Sequence, residues 1–303
     1  MPTPLLKVSD LRAGYGKAEV LHGLSLQADK GSVITVIGPN GAGKSTLFKT
    51  VFGLLGVRSG TVTFDGKVTT SFAPRRMLDA GVCYVPQGRN LFPELSVRHN
   101  LELGGVALGD QSGLGARMDA MMRRFPMLKE KENAQASTLS GGQQKLLEVA
   151  RGLLLDPKLM LIDEPSIGLS PLMVQEVFGI LQGLRDGGMT ILLIEQNARQ
   201  ALAISDHGLV LEQGQARMAD TAAAILADPR IAQLFLGGGL ATARGITLSS
   251  DDRMRAFVIE RLMCRLAFPG EELVDTFGPA AEPLIRQAEE IVNEDRDGLV
   301  QRS

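Results

Sequence analysis

Apolar and polar residues alternate along residues 5–11 and again along 20–28, the period-two signature of half-buried strands. Gly31-Ser32 then turns the chain into Val33-Ile34-Thr35-Val36-Ile37, apolar enough for a central parallel strand. A glycine-rich loop follows at once, and residues 46–55 take up helical spacing, while 60–68 read as a short edge strand. From about 90 to 136 the strand character fades. Met, Leu and Arg become frequent, and Met118, Met121, Met122 and Phe125 fall at helical spacing, so this stretch is expected to be a mostly helical insertion. A helix over about 143–155, a buried strand over 159–162, a helix over about 173–185 and a buried strand over 190–194 complete an alternation that predicts an α/β fold around a mainly parallel sheet.

The pattern breaks at Gly237-Gly238-Gly239. Ser249-Ser250-Asp251-Asp252 is a good helix start, and Met254, Phe257, Val258, Leu262 and Leu266 form an apolar stripe behind it. Amphipathic segments around 271–277 and 282–292 and a short strand at 298–301 are expected after that. From Gly239 onward the chain has 12 acidic and 8 basic residues and no Lys. The division predicted is a domain over 1–238, a linker over 239–248 and a small helical domain over 249–303.

Composition adds limits. The 303 residues are 44% hydrophobic, ample for a core, and a net charge of −2 gives no bulk field for nucleic acid or an anionic membrane. Two cysteines, Cys83 and Cys264, match no metal spacing and fit buried thiols in a reducing compartment. No run approaches the ~20 apolar residues that cross a bilayer, so action at a membrane calls for a partner. Met1-Pro2-Thr3-Pro4 lacks the features of a secretory signal.

The chemistry lies in two short segments. Gly38-Pro39-Asn40-Gly41-Ala42-Gly43-Lys44-Ser45-Thr46 fits G-x-x-x-x-G-K-[ST], with a strand before it and a helix after it. Backbone N–H groups of such a loop cradle phosphates, the lysine reaches the terminal ones, and the Ser45 hydroxyl suits Mg²⁺. Leu139-Ser140-Gly141-Gly142-Gln143-Gln144 opens a second helix with a serine and paired glycines, another place suited to an anion. Two cradles on one domain suggest a head-to-tail dimer with each nucleotide held between two copies. Asp163-Glu164 ends an apolar strand, where α/β sheets hold ligands. Asp163 is assigned to Mg²⁺, directly or through water, and Glu164 to orienting and deprotonating the attacking water.

The phosphate loop, Gln87 within Val85-Pro86-Gln87-Gly88, residues 139–144, Asp163-Glu164 and the turn near Ser170 occur in the order of the ATP-binding-cassette ATPases, which residues 5–238 resemble. The resemblance implies a P-loop NTPase fold with a mainly parallel sheet core, an antiparallel β subdomain and a helical subdomain over about 90–136. It also implies a face-to-face dimer with two ATPs sandwiched between loop and signature. In that family Gln87 senses Mg²⁺ and the transmembrane partner, Ser140, Gly141 and Gly142, with Gln143 beside them, meet the opposite γ-phosphate, and Tyr15 matches the aromatic that stacks on adenine, a core tyrosine being the alternative. Leu91-Phe92-Pro93-Glu94-Leu95 is the expected docking surface, although a packed core explains those residues equally well.

Glu164-Pro165-Ser166-Ile167-Gly168-Leu169-Ser170-Pro171, Ile194-Glu195-Gln196-Asn197-Ala198 and Phe235-Leu236-Gly237-Gly238 look like ATP-binding subunits of branched-chain amino acid importers, urea and short-chain amide importers being similar. Gln196 stands where the wider family has a switch histidine, and Ser170 where it has an aspartate; a glutamine amide donates a hydrogen bond but takes no proton. The implied partners are a second cassette (a paralogue with its own switch histidine, a homodimer being the alternative), two transmembrane permease subunits and, indirectly, a periplasmic solute-binding protein. The implied place is the cytoplasmic face of the inner membrane. A soluble cassette protein acting on ribosomes or DNA usually carries two cassettes or a long coiled coil, neither of which is present here, so no nucleic-acid partner is expected. On Arg244-Gly245-Ile246, Asp251-Asp252-Arg253 and Ile259-Glu260-Arg261-Leu262-Met263-Cys264, about 60 residues of the tail resemble the C-terminal accessory domain of oxygen-independent coproporphyrinogen III oxidases, a winged-helix-like module, without the three-cysteine cluster of their radical-generating domain.

Overall fold

The computed structural model describes residues 3–88, 90–108 and 112–231. The expected linker, the helical C-terminal domain, its terminal strand and Cys264 lie outside the described residues.

The chain opens with β1 (Leu6–Tyr15) and β2 (Ala18–Ala28), paired antiparallel, and continues through β3 (Val33–Ile37) into α1 (Lys44–Val51). In β1 the buried residues are Leu6 and Val8, then Leu11 and Ala13. The change of phase comes from an irregularity around Asp10, whose φ of 48° inserts an extra residue and keeps both halves facing the core. β4 (Val57–Phe64) and β5 (Lys67–Val68) follow, and the four-stranded antiparallel sheet runs β2-β1-β4-β5. Residues 60–68 are therefore not one edge strand. Asp65 and Gly66, with φ of 48° and 73°, make a tight hairpin turn that splits them, and β4 pairs on both sides.

Next come α2 (Pro74–Ala80) and β6 (Val82–Val85), then a helical region of α3 (Val97–Gly105), α4 (Leu114–Arg124) and α5 (Pro126–Glu130). It closes with a 3-10 turn at Ala136–Thr138 and α6 (Gly141–Leu153). Its core holds Val97, Leu101, Met118, Met122, Leu128 and Leu147. Buried Asn100 pins the preceding loop: its Nδ2 donates to the Phe92, Leu95 and Ser96 carbonyls and its Oδ1 accepts from Phe92 N. Leu91 packs against this core, whereas Phe92 is half exposed.

The remainder is β7 (Leu159–Asp163), α7 (Pro171–Asp186), β8 (Thr190–Ile194), α8 (Ala198–Ala203), β9 (His207–Glu212), β10 (Gln215–Thr221) and α9 (Ala222–Ala227). The second sheet runs β10-β9-β3-β8-β7-β6, parallel from β9 to β6 with an antiparallel edge at β10. All five residues of β3, of β7 and of β8 are buried, as strands covered on both faces must be. The neighbouring order β3-β8-β7-β6 places the loops after these four strands side by side at one edge of the sheet, where ligands bind in open α/β folds. Among the described residues no helix is long and apolar enough to cross a membrane.

Candidate nucleotide-binding and hydrolysis site

The loop after β3 turns back over the start of α1. Gly43, with φ of 104°, caps that helix without a side-chain acceptor, which leaves its first N–H groups free for an anion. A Cβ on Gly38 would lie 2.1 Å from the Leu211 carbonyl oxygen, so only glycine fits there. Lys44 is buried, and its ammonium donates to the carbonyls of Gly38 at 2.9 Å and Pro39 at 3.2 Å. The same ammonium lies 3.8 Å from Glu164 Oε1. A cavity of about 500 Å³ opens here, lined by Asn40, Gly41, Lys44, Gln87, Glu164 and Gln196 among others.

β7 delivers the two carboxylates. Asp163 is buried; its Oδ2 accepts a hydrogen bond from the Tyr84 hydroxyl at 3.2 Å, and its Oδ1 is buried with no hydrogen-bond partner. Burial pushes the Asp163 carboxyl above the ordinary aspartate range, opposed by the nearby Ser45 and Tyr84 hydroxyls and by the Lys44 charge. An orphaned carboxylate oxygen beside the Ser45 hydroxyl is a hard oxygen donor set that suits a small divalent cation.

Glu164 has φ of 46°, a left-handed conformation that a non-glycine residue seldom adopts. Its Oε2 accepts from Gln87 Nε2 and from Gln196 Nε2, each at 2.9 Å. Two amides and an ammonium thus surround one carboxylate, all three of them donors, and fix its orientation at the cavity wall. Each arrives on a different loop, after β6, β8 and β3. Such an acceptor, aimed into a phosphate cradle, can take a proton from water.

The signature segment stands apart. Ser140 caps α6: its Oγ accepts from Gln143 N at 3.2 Å, and Gln143 Oε1 accepts from Ser140 N at 3.1 Å, a complete capping box. A Cβ on Gly141 would lie 2.5 Å from Leu169 Cδ2, and one on Gly142 2.4 Å from Glu176 Oε2, so the two glycines lie directly against the ends of these side chains. None of Ser140, Gly141, Gly142 and Gln143 lines the cradle. Gly142 and Gln143 instead border a separate groove of about 630 Å³ beside Arg124 and Glu176. The loop holding Gln87 is nonetheless tied to α6, because Lys145 donates to the Gly88 carbonyl and Glu148 Oε1 accepts from Asn90 N at 2.7 Å.

Gly38, Pro39, Asn40, Gly41, Ala42 and Gly43 thus form the loop and Lys44, Ser45 and Thr46 the first turn of α1, joined by Gln87, Asp163, Glu164 and Gln196. Tyr15 does not line the cavity; the residue is 48% exposed, with Lys49 Nζ 6.0 Å from its ring centroid, so it is no core tyrosine. Ile167 and Leu172, which flank Ser170, are also exposed. Sequence reasoning missed Tyr84, although it is one of only two tyrosines, and missed the hydrogen bonds of Glu195 and Ser166. Cys83 is buried, with its thiol pushed up to about 12 by burial, as an inert core cysteine should be.

The family model described as ABC transporter matches residues 21–167. The chain is 40% identical over 234 residues to the high-affinity branched-chain amino acid transport ATP-binding protein BraG of Pseudomonas aeruginosa, covering 77% of this chain and 100% of that one. It is 36% identical over 234 residues to the probable branched-chain amino acid transport ATP-binding protein LivF of Archaeoglobus fulgidus, covering 77% and 99%. Among solved structures, a nucleotide-free ATP-binding cassette from an ABC transporter superposes with a TM-score of 0.70 at 27% identity, covering 78% of this chain and all of that one. The ADP conformation of such a cassette gives 0.69 at 29% identity, with the same coverage.

Proposed function

This chain belongs to the ABC transporter family as an ATP-hydrolysing subunit, and from that premise we propose that it energises amino-acid import, with branched-chain amino acids as the solute class. ATP sits in the cradle of residues 38–46, with Tyr15 against the adenine. The N-terminus of α6 in a second cassette covers the terminal phosphate through Ser140, Gly141, Gly142 and Gln143. The second cassette is a paralogue of this chain, and separate membrane subunits dock through the loop at 91–95 and Gln87. A periplasmic solute-binding protein delivers the solute, so the chain acts at the cytoplasmic face of the inner membrane.

Mg²⁺ would be held by Ser45 and Asp163, with Gln87 nearby, and when bound it neutralises charge on the terminal phosphates. Lys44, now bonded to the Gly38 and Pro39 carbonyls, exchanges those acceptors for phosphate oxygens. Glu164 takes the proton of the attacking water, oriented by Gln87 and Gln196. Because Gln196 donates but does not titrate, it acts by position alone.

The observation that carries this reading is the Glu164 carboxylate fixed at the wall of the cradle by Gln87, Gln196 and Lys44. The test is uptake of labelled leucine into membrane vesicles containing the transporter, with the wild-type chain and with Glu164→Gln. Uptake that depends on ATP and is lost in the variant supports the proposal. ATP-driven uptake of urea or amides in preference to leucine overturns the solute class, and uptake unaffected by the variant overturns the role of Glu164.

A further inference from the structure

Behind the cradle lies a carboxylate that the mechanism above leaves unused. Glu195, at the end of β8, is 1% exposed, yet it has no basic partner among its hydrogen bonds. Its Oε1 accepts from Ser166 N at 2.9 Å. Its Oε2 accepts from Ser166 Oγ at 2.8 Å, from Gln196 N at 3.0 Å and from Asn197 N at 3.3 Å. Burial pushes this carboxyl above the usual glutamate range, and the Ser166, Asn197 and Gln196 donors pull it back.

Ser166 and Gln196 lie beside Glu164 on two different loops. The Gln196 side chain has three rotatable bonds and no charge, so its amide finds Glu164 only if its backbone is held. The turn with Glu164 is itself in a sparsely populated conformation that the surroundings must maintain. We infer that Glu195 is a positioning residue for hydrolysis: it clamps the turn at Ser166 to the backbone of Gln196, fixing the distance between the Glu164 carboxylate and the Gln196 amide. The inference rests on the roles proposed for Glu164 and Gln196. It joins the loop after β7, which carries Ser170, to the loop after β8, so a displacement of either is transmitted to the other.

An amide cannot replace this carboxylate at both ends. Glu195→Gln keeps size and shape, but its NH₂ group must face either Ser166 N or the Gln196 and Asn197 N–H groups, donor against donor. The test measures steady-state hydrolysis at saturating Mg-ATP, and affinity for a fluorescent ATP analogue, with the full-length chain in its transporter assembly. A misplacement on the order of 1 Å in a hydrolytic centre costs up to about 10²-fold in rate. Glu195→Gln should therefore lower kcat by about tenfold or more while analogue affinity stays within about twofold, because the phosphate loop of residues 38–46 is untouched. Ser166→Ala should act in the same direction but less strongly, and the double variant should be no slower than Glu195→Gln alone.

A kcat within twofold of wild type in Glu195→Gln, kcat and affinity falling in parallel, or effects of the two substitutions that multiply would each overturn the inference. If Glu195→Gln does not fold, Ser166→Ala decides alone, and an unchanged kcat there overturns it. Glu164→Gln serves as the control: hydrolysis surviving in that variant condemns the proposed site, whereas its loss together with an unaffected Glu195→Gln condemns only the clamp.

Discussion

Gln196 Nε2 donates to Glu164 Oε2 at 2.9 Å across the gap between the loops after β8 and β7. The two residues are 32 positions apart in sequence and are brought together by the direct pairing of their strands, with Asp163 in register with Ile194. The bond makes a neutral amide the orienting partner of the carboxylate proposed to activate water. Gln196→Ala removes that donor and should lower kcat by about 10–10²-fold with little change in ATP affinity. Gln196→His should restore part of the rate and add a pH dependence near about 6.5, the ordinary histidine value. A kcat–pH profile for the three proteins checks both, since the wild type has no titrating group at this position.

Asp163 gives a prediction of opposite sign on stability. Its folded-state pKa is raised by burial, so the ionised form is disfavoured in the folded chain and the penalty is fully present well above that pKa. It is relieved as pH falls through the folded value. Without divalent cation at pH 7, Asp163→Asn should therefore be more stable than the wild type, by about 1–3 kcal/mol if the orphaned Oδ1 carries the usual cost. The advantage should shrink as the buffer is acidified. Added Mg-ATP should raise the melting temperature of the wild type more than that of the variant, as differential scanning fluorimetry will report.

Gly38 meets backbone rather than a flexible side chain. Gly38→Ala places a methyl group 2.1 Å from the Leu211 carbonyl oxygen, and the loop or β9 must shift. Destabilisation by about 1–3 kcal/mol, with weakened ATP binding, is expected in urea unfolding and nucleotide titration.

Gly142 allows the two halves of the proposed sandwich to be tested separately. A methyl group there would meet only the end of the Glu176 side chain, which can swing away, so Gly142→Ala should fold with the wild-type melting temperature. It should bind ATP in its own cradle within about twofold and yet lose at least tenfold in hydrolysis, because in the proposed dimer the altered helix start serves the partner's nucleotide. ATP titration and turnover measured on one preparation separate these effects.

Half of the six-stranded sheet was legible because three of its strands are short, nearly all apolar and flanked by turn residues: β3, β7 and β8 carry their burial in their composition. The hairpins were less so. Asp65-Gly66 between β4 and β5 is a strong two-residue turn signal that the reading of 60–68 as one strand passed over, and Gln213-Gly214 makes a similar turn between β9 and β10. β6 has only four residues, too few for periodicity to identify. In the site, Lys44, Asp163 and Glu164 were readable because motif and strand end coincide. The partners of Glu195 and Tyr84 were not, since Ser166 lies 29 positions from Glu195 and Asp163 lies 79 from Tyr84, distances spanned only by the tertiary fold.

The central claim, a triphosphate closed between the cradle of one cassette and the α6 terminus of another, is tested most directly by light scattering on Glu164→Gln. The variant is measured with and without Mg-ATP, alone and mixed with its sister cassette. That substitution leaves an oxygen to accept from Gln87 and Gln196 but removes the base, so ATP should persist and the particle mass should double on its addition. A variant that binds ATP and remains monomeric in both preparations would contradict the account.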